Sequence, residues 1–279
     1  MRWWRVSRGI VVAAAILGAG ALSWSRADAQ PADTQPVAGP TLRIATFNLQ
    51  NYLCMDRRLD GRFLPSYPKP EVEKAAVRAV IHAVSPDILC LQEIGPRPFL
   101  DELQQDLARE GLTFTRAALL SGADPLRHVA VLSRVPWTAV VEHNDLPFDY
   151  LEREEQVKRG VLEVQFDAPS GPWRLFVVHL KSALTEEAAD RGAHLRRAAE
   201  ARVVRDRIIG QTAGEAAPRF LLVGDINDAP NSRTLAGLTR RGERVIAAVV
   251  PVADSRGERW THRHAASDRY ERIDYILAS

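Results

Sequence analysis

The stretch that most constrains the fold is residues 219–230, which read RFLLVGDINDAP. Its four consecutive apolar residues, 220–223, are typical of a strand that is buried on both faces. Gly224 allows a close approach of the backbone to a neighbouring group. Because Asp225 and Asn227 are two positions apart, they share one face of an extended chain and can point at the same bound group. The alternative is an Asx-rich turn that follows a core strand.

Other predicted strands also bring polar side chains to the end of an apolar run. They are residues 42–49 with Asn48, 88–93 with Glu93, 173–182 with His179 and Lys181, and 272–277 with Asp274. Ligands of open α/β sheets bind beyond the carboxyl ends of the strands. We therefore expect these side chains to meet Asp225 and Asn227 in one site.

The segments between these strands predict a mixed-sheet α/β protein. Periodicity predicts helices at about 71–84 and 98–110, and further strands at 129–134 and 160–166. A long helix is expected over 186–209, where alternating arginines and carboxylates favour a solvated outer surface. Residues 51–70 are expected to be irregular and 235–250 weakly structured. His262 and His264 are expected in a loop with structural or surface roles.

The amino terminus has the features of a secretory signal peptide. Basic residues precede the apolar run 9–22, and Ala27-Asp28-Ala29 supplies a small-residue cleavage motif, so we expect cleavage after Ala29 and a secreted or periplasmic protein. A membrane anchor is the alternative, but the run is shorter than the about 20 residues that span a bilayer. Residues 30–40 then form a proline-containing linker, and residues 41–279 form a single domain.

Charge and cysteine content add two weaker constraints. Residues 1–29 carry four arginines and one aspartate, so their removal changes the net charge from +2 to −1. A near-neutral domain lacks the broad basic surface of many nucleic-acid-binding proteins, although local basic clusters remain compatible with a nuclease. Cys90 lies in an apolar run and is expected to be a core residue, with a Cys54–Cys90 disulfide as the alternative.

The expected site is rich in oxygen donors and poor in thiolates. Such a donor set suits Mg²⁺, Mn²⁺ or Ca²⁺ rather than a thiolate zinc site. A hard divalent ion beside His179 and Lys181 matches a phosphate ester, because the ion and the lysine can neutralise phosphoryl oxygens while the histidine contacts them or handles a proton.

Six motifs together resemble the endonuclease/exonuclease/phosphatase family. In chain order they are IATFNLQN, PDILCLQEI, VAVLSR, LFVVHLKS, LLVGDINDAP and ERIDYILAS. The resemblance covers about residues 42–279, and it implies a four-layer sandwich of two mixed β-sheets packed face to face with helices on the outside. It also implies a metal-dependent phosphodiesterase. No obligate protein partner is evident in the sequence, and we expect a monomer.

The resemblance assigns a role to each residue of the expected site except Lys181. By this resemblance Glu93 would bind the divalent metal, with Asn48 close by as the other expected metal residue, and Asp225 would orient or deprotonate the attacking water. Asn227 holds the scissile phosphate and His179 contacts it. Asp274 matches the acid that orients a second, C-terminal catalytic histidine.

The sequence departs from the family pattern after residues 272–277. The family continues to a Ser-Asp-His segment, so we expect the domain to lack its last strand and this histidine, either because the sequence is truncated or because the protein is an impaired member. A phosphomonoesterase and a catalytically impaired binding protein are the alternative functions. DNA, RNA, a phospholipid head group and a small phosphodiester are the candidate substrates.

Overall fold

Strands and helices alternate along most of the chain. The computed structural model describes residues 41–279 and the backbone of residues 11–15. In the described residues the α-helices are α1 Glu71–Val84, α2 Arg97–Arg109, α3 His194–Gln211 and α4 Arg233–Thr239, and a 3₁₀ turn covers Ala188–Asp190. The strands are β1 Val11–Ala15, β2 Leu42–Tyr52, β3 Met55–Leu59, β4 Arg62–Tyr67, β5 Ile88–Ile94, β6 Arg116–Leu120, β7 His128–Ser133, β8 Ala139–His143, β9 Pro147–Tyr150, β10 Arg153–Gln156, β11 Val161–Phe166, β12 Trp173–His179, β13 Phe220–Asp225, β14 Arg240–Arg241, β15 Arg244–Val245, β16 Ala248–Val249, β17 His262–His264, β18 Arg269–Glu271 and β19 Asp274–Ala278.

Two mixed sheets form the centre of the protein. One has the order β1-β2-β5-β7-β6 and the other has the order β16-β19-β13-β12-β11-β8. Each contains one parallel pair among its described strands, β2 with β5 and β12 with β13, and each pair is joined by a crossover that contains a helix. The remaining neighbours in both sheets are antiparallel.

The apolar core is divided by the sheets into three clusters. The middle cluster, which includes Ile44, Cys90, Val177 and Val223, lies between the two sheets. A second cluster joins the outer face of the first sheet to α1 and α2, and a third joins the outer face of the second sheet to α3 and α4. This arrangement is the predicted four-layer sandwich, and it follows from strands whose alternate residues are apolar on both faces.

Most of the predicted elements around the site are confirmed. The first helix has the predicted bounds, the second is shifted by one residue, and the strands that carry Asn48, Glu93, His179, Asp225 and Asp274 all form. Cys90 is a buried core residue, and both Cys54 and Cys90 are free thiols rather than a disulfide.

The predicted helix over residues 186–209 is wrong at its start. Gly192 and Ala193 have φ angles of 81° and 52°, so the helical path is broken and α3 begins only at His194. The prediction of a solvated arginine face is also wrong, because Arg196, Arg197 and Arg205 are buried. They are held by carboxylates and main-chain carbonyl groups that sequence periodicity does not reveal.

Three segments predicted as irregular are structured. Residues 55–67 form the β3–β4 hairpin, because Asp60 and Gly61 adopt the positive φ angles of a tight turn. Within residues 235–250, part of α4 and the short strands β14 to β16 are formed. His262 and His264 lie in β17, which pairs with β18, and not in a loop.

The predicted signal peptide and linker lie mostly outside the described residues. Within the predicted signal peptide, Val11–Ala15 is described, and it pairs antiparallel with the start of β2. Cleavage after Ala29 would remove this strand and leave β2 at the edge of its sheet. Export therefore stays a prediction. Among the described residues, no helix is long and apolar enough to span a bilayer.

Candidate active site

The candidate site lies at the carboxyl ends of the two parallel strand pairs. Strand alternation aims Asn48, His179 and Asp225 between the sheets, because they continue the inward-facing positions of Ile44, Val177 and Val223. In the second sheet, His179 lies opposite Asp225 in the β12–β13 pair, and Asp225 lies opposite Asp274 in the β13–β19 pair.

Asn48 connects the two sheets. Its amide nitrogen Nδ2 donates to Glu93 Oε1 at 3.1 Å and to Asp225 Oδ2 at 2.9 Å. Its oxygen Oδ1 accepts from the main-chain nitrogen of Gln50 at 2.9 Å. All three site side chains are buried, so the amide offsets the repulsion between two carboxylates that are shielded from water.

Glu93 reaches the site because β5 is irregular at that position. Its φ angle is 59°, and the ladder register shifts between Gln92 and Ile94 on the side of β7. A bulge of this kind re-aims a side chain that regular alternation would point to the other face. The second carboxylate oxygen, Oε2, accepts from the main-chain nitrogen of Asn51 at 2.9 Å.

His179 lies close to both carboxylates. Its Nε2 atom is 3.9 Å from Glu93 Oε1 and 3.9 Å from Asp225 Oδ2. These distances are too long for direct hydrogen bonds but leave the imidazole facing the same space as the two acids. The three side chains that the sequence predicts as a group are therefore assembled around Asn48.

Asn227 reaches Asp225 through a turn and not along the face of a strand. β13 ends at Asp225, and Asn227 has a φ angle of 55°, a conformation that asparagine tolerates better than most residues. The main-chain nitrogen of Asn227 donates to Asp225 Oδ1 at 2.8 Å, which is an Asx turn. Its Nδ2 donates to the Leu180 carbonyl oxygen at 3.0 Å. The prediction that Asp225 and Asn227 share one face of a strand is thus wrong, whereas the prediction that they lie close together is correct.

Lys181 is held within the loop that follows β12. Its Nζ donates to the carbonyl oxygens of Ser182, at 3.2 Å, and Leu184. Burial, together with the nearby charge of Arg159 and Arg196, lowers the pKa of Lys181. The lysine is next to the site in sequence, but the described hydrogen bonds of its ammonium group are all made to its own loop. Its predicted contact with phosphate therefore stays a prediction.

Asp274 is buried at the start of β19. The hydroxyl oxygen of Thr261 accepts from the main-chain nitrogens of Ile273 and Asp274, each at 3.1 Å, and this pins the beginning of the strand. The strand pairs with β13 on one side and with β16 on the other. Its role as an orienting acid for a further histidine stays a prediction.

Several supporting residues have no clear signal in the sequence. Gln92 lies beside Asn48 in the β2–β5 ladder, and its Oε1 accepts from Thr46 Oγ1 at 3.2 Å. The main-chain nitrogen of Asn51 donates to Glu93. Asn51 has a positive φ angle, which asparagine tolerates better than most residues, and this is the only sign of its role that the residue type provides. Thr261 is separated in sequence from its partners Ile273 and Asp274 by the β17–β18 hairpin, so only the tertiary structure reveals its role.

The donor set fits a hard divalent cation. No group of three or more His, Cys, Asp or Glu side chains in the described part of the chain is arranged to enclose an ion. Mg²⁺ does not need such a cage, because it keeps several waters and binds through one or two carboxylates. Glu93 Oε1 and Asp225 Oδ2, which face the same nitrogen atom of Asn48, supply that chemistry. Asn48 turns its oxygen to Gln50, so in this arrangement it holds the carboxylates instead of offering a ligand atom.

Sequence comparison places the chain in a known family. The profile of the endonuclease/exonuclease/phosphatase family matches residues 45–279, and the chain belongs to this family. A search of curated protein sequences finds no match.

Solved structures share the same fold at low sequence identity. The human nocturnin catalytic domain with bound sulfate is 18% identical, with a TM-score of 0.58 over 85% of this chain and 82% of that chain. Sphingomyelinase C from Streptomyces griseocarneus is 19% identical, with a TM-score of 0.56 over 86% and 84%. A beta toxin mutant from Staphylococcus aureus with bound magnesium ions is 13% identical, with a TM-score of 0.56 over 85% and 83%.

Proposed function

We propose that this protein hydrolyses phosphodiesters with the help of a divalent metal ion, Mg²⁺ in the first instance. The observation that carries the proposal is the Asn48 amide that joins Glu93 of one sheet to Asp225 of the other, with His179 beside both acids. Membership of the endonuclease/exonuclease/phosphatase family supports this class of reaction. Nocturnin with sulfate and beta toxin with magnesium show that related folds accept an oxyanion and this metal.

Glu93 is the residue that would hold the metal, with Asp225 next to it. When bound, the ion supplies positive charge that stabilises the charge developing on phosphoryl oxygens. Glu93 is suited to this role because its Oε2 is already fixed by the Asn51 main-chain nitrogen, which leaves Oε1 facing the site.

Asp225 is placed to orient the attacking water and accept its proton. Its Oδ2 accepts from Asn48 and its Oδ1 from the main chain of Asn227, so the carboxylate cannot rotate freely. A fixed base within reach of a water contributes to the rate through both orientation and proton transfer.

Asn227 and His179 are placed to bind the scissile phosphate. One amide hydrogen of Asn227 is used by the Leu180 carbonyl oxygen, so the second remains to donate to a phosphoryl oxygen. His179 Nε2 faces the same space and can donate a hydrogen bond to a second oxygen. Such donors stabilise the charge that develops on these oxygens.

The test is hydrolysis of bis-p-nitrophenyl phosphate by purified protein, with and without Mg²⁺, compared with the monoester p-nitrophenyl phosphate. We expect turnover of the diester that is abolished by EDTA and restored by Mg²⁺. Faster turnover of the monoester would favour a phosphomonoesterase, and no turnover of either would favour a binding protein. DNA, RNA, sphingomyelin and a small phosphodiester, assayed in parallel, then distinguish the substrate classes.

We further propose that the protein is exported, from the basic and apolar character of residues 1–29 and the motif that ends at Ala29. Expression of the full chain in a bacterial host, followed by N-terminal sequencing of the periplasmic protein, tests this. A mature protein that begins near Gln30 is expected, whereas uncleaved protein in the cytosol contradicts it.

A further inference from the structure

Arg197 is a buried arginine in the first turn of α3. It lies behind the loops that follow β12 and β13, which we call the site loops. We propose that Arg197 is a positioning residue, which fixes Asn227 for phosphate binding by bracing both Asp228 and the loop that carries the acceptor of the Asn227 amide. This inference rests on the function proposed above for Asn227. Arg197 itself is 1% exposed and does not face the reacting groups.

The guanidinium group of Arg197 joins three segments of the chain. Nε donates to Asp228 Oδ2 at 3.2 Å, and Nη1 donates to the carbonyl oxygens of Lys181, at 3.2 Å, and Gly192, at 2.8 Å. Nη2 lies 3.1 Å from His194 Nδ1. Since arginine has only donors, His194 Nδ1 must be the acceptor, which places the imidazole proton on Nε2.

These contacts lie immediately beside the groups that hold Asn227. Asp228 directly follows Asn227, and Lys181 directly follows Leu180, whose carbonyl oxygen accepts from Asn227 Nδ2 at 3.0 Å. Arg197 therefore holds Asp228, which follows Asn227, and also Lys181, which follows the residue whose carbonyl oxygen accepts from Asn227. A planar group with several fixed donors can set the distance between two loops, which a single ammonium group cannot do.

Other bonds make Asp228 a firm anchor for this brace. Its Oδ2 also accepts from Thr234 Oγ1 at 2.7 Å, and its carbonyl oxygen accepts from the Tyr275 hydroxyl at 3.0 Å. On the other loop, Glu200 Oε2 accepts from the main-chain nitrogen of Lys181 at 2.8 Å. The loop after β12 is thus fastened to α3, and the loop after β13 is fastened to α4 and β19. Arg197 bonds to both loops.

The competing explanation is that Arg197 only stabilises the fold, as buried arginines often do. Arg205 provides a matched control, because it lies on the same helix, is also buried, and donates to the carbonyl oxygens of Gly237 and Arg240. These acceptors lie outside the two loops that Arg197 contacts. Arg197→Lys and Arg205→Lys both keep the charge while removing the bridging geometry, so they differ in whether the site loops are braced.

The first arm of the experiment measures the bracing without reference to activity. Hydrogen exchange by mass spectrometry, at constant pH, follows residues 180–193 and 226–232. We expect Arg197→Lys to speed exchange in both segments by about tenfold or more, and Arg205→Lys to leave both unchanged. Unchanged exchange in Arg197→Lys would overturn the proposal. If that variant does not fold, Asp228→Asn, which removes the charged acceptor of Arg197, is measured in its place with the same expectation.

The second arm is a double-mutant cycle on turnover with Asn227→Ala. Arg197→Lys should lower kcat about tenfold and change KM less than twofold, because small misplacements of a catalytic group reduce the rate strongly. In the Asn227→Ala background the same change should lower kcat less than twofold. An equal loss in both backgrounds would overturn the positioning role. If the wild-type protein hydrolyses no phosphodiester, the proposed function fails, and the exchange measurement still decides whether Arg197 braces the loops.

Discussion

Asn48 and Asp225 are 177 positions apart in the chain, yet Asn48 Nδ2 donates to Asp225 Oδ2 at 2.9 Å. Asn48 belongs to β2 of one sheet and Asp225 to β13 of the other. The site therefore exists only when the two sheets are packed, and its most central hydrogen bond spans the interface between them. The site is therefore assembled by the packing of the two sheets.

Asn48→Ala is predicted to reduce both stability and activity. It removes the donor shared by the Glu93 and Asp225 carboxylates, and a lost buried partner of charged groups costs about 1–3 kcal/mol. Because Mg²⁺ can neutralise the two carboxylates that lose this hydrogen-bond donor, saturating metal should restore part of the loss. Urea unfolding with EDTA or Mg²⁺ measures this, with the exposed Asn144→Ala as a control. Equal stability of Asn48→Ala and wild type in EDTA would contradict it.

Gly224 is predicted to be irreplaceable. Its φ angle is +140°, and a Cβ at this position would lie 2.0 Å from the Val178 carbonyl oxygen, in the strand that carries His179. Gly224→Ala must push β12 and β13 apart, so we expect a loss of about 3 kcal/mol or more in the free energy of unfolding. Gly210→Ala in α3, where a Cβ meets nothing within 4 Å, should instead stabilise by about 0.5–1 kcal/mol. Similar effects of the two changes in thermal unfolding would refute this account.

Glu200→Gln is predicted to change how stability depends on pH. Burial raises the pKa of Glu200, although the Lys181 main-chain nitrogen and Arg196 oppose this. A carboxyl group whose pKa is raised in the folded state gives full stability below its unfolded value, about 4.3, and loses it as pH rises through the folded pKa. The glutamine variant does not titrate and keeps an acceptor for Lys181.

The measurement for Glu200 is urea unfolding at several pH values. We expect the free energy of unfolding of Glu200→Gln, relative to wild type, to increase from pH 4 to pH 8. Glu155→Gln is the control of opposite sign: burial raises the pKa of Glu155, but Arg153 and Arg196 outweigh this and lower it. Its relative stability should instead fall as pH rises from about 3 to 5, because a lowered pKa contributes stability that is lost as pH falls through the folded pKa. A pH-independent difference for Glu200→Gln would rule out the assigned titration.

Thiol labelling is predicted to separate the two cysteines. Burial raises the pKa of Cys90, and the thiolate is the reactive form, whereas Cys54 is partly exposed. A water-soluble thiol reagent should therefore modify Cys54 in the native protein, and Cys90 only after unfolding. Without reductant, mass spectrometry that finds neither cysteine modified in either state would indicate a disulfide and contradict the structure.

The parts of the site that follow from strand patterns are predictable from the sequence. Asn48, Glu93, His179 and Asp225 each end an apolar run, and the carboxyl ends of parallel strands meet at one edge. Simple alternation fails where the backbone leaves the regular path. Glu93 depends on a bulge and Asn227 on an Asx turn, and both residues have positive φ angles that their residue types permit but do not require.

The residues that hold the site from behind are not predictable in this way. Arg197 lies in a helix whose alternating charges have the appearance of a solvated surface, and it is buried because its partners come from three separate segments. The break at Gly192 and Ala193 likewise lies in the loop after β12, where the Gly192 carbonyl oxygen accepts from Arg197 of α3. Such tertiary contacts override helical propensity, which is only a weak local preference.

Glu93→Gln is the change that tests the central claim most directly. Glutamine preserves the size of the side chain and one oxygen acceptor, while it removes the charge that a divalent ion requires. Calorimetric titration with Mg²⁺ and turnover of bis-p-nitrophenyl phosphate are measured on the same preparations of wild type and variant. We predict that wild type binds the metal and hydrolyses the diester, and that Glu93→Gln binds Mg²⁺ at least tenfold more weakly and turns over at least about a hundredfold more slowly. Unchanged Mg²⁺ affinity and turnover in Glu93→Gln would contradict a metal-dependent site built on Asn48, Glu93 and Asp225.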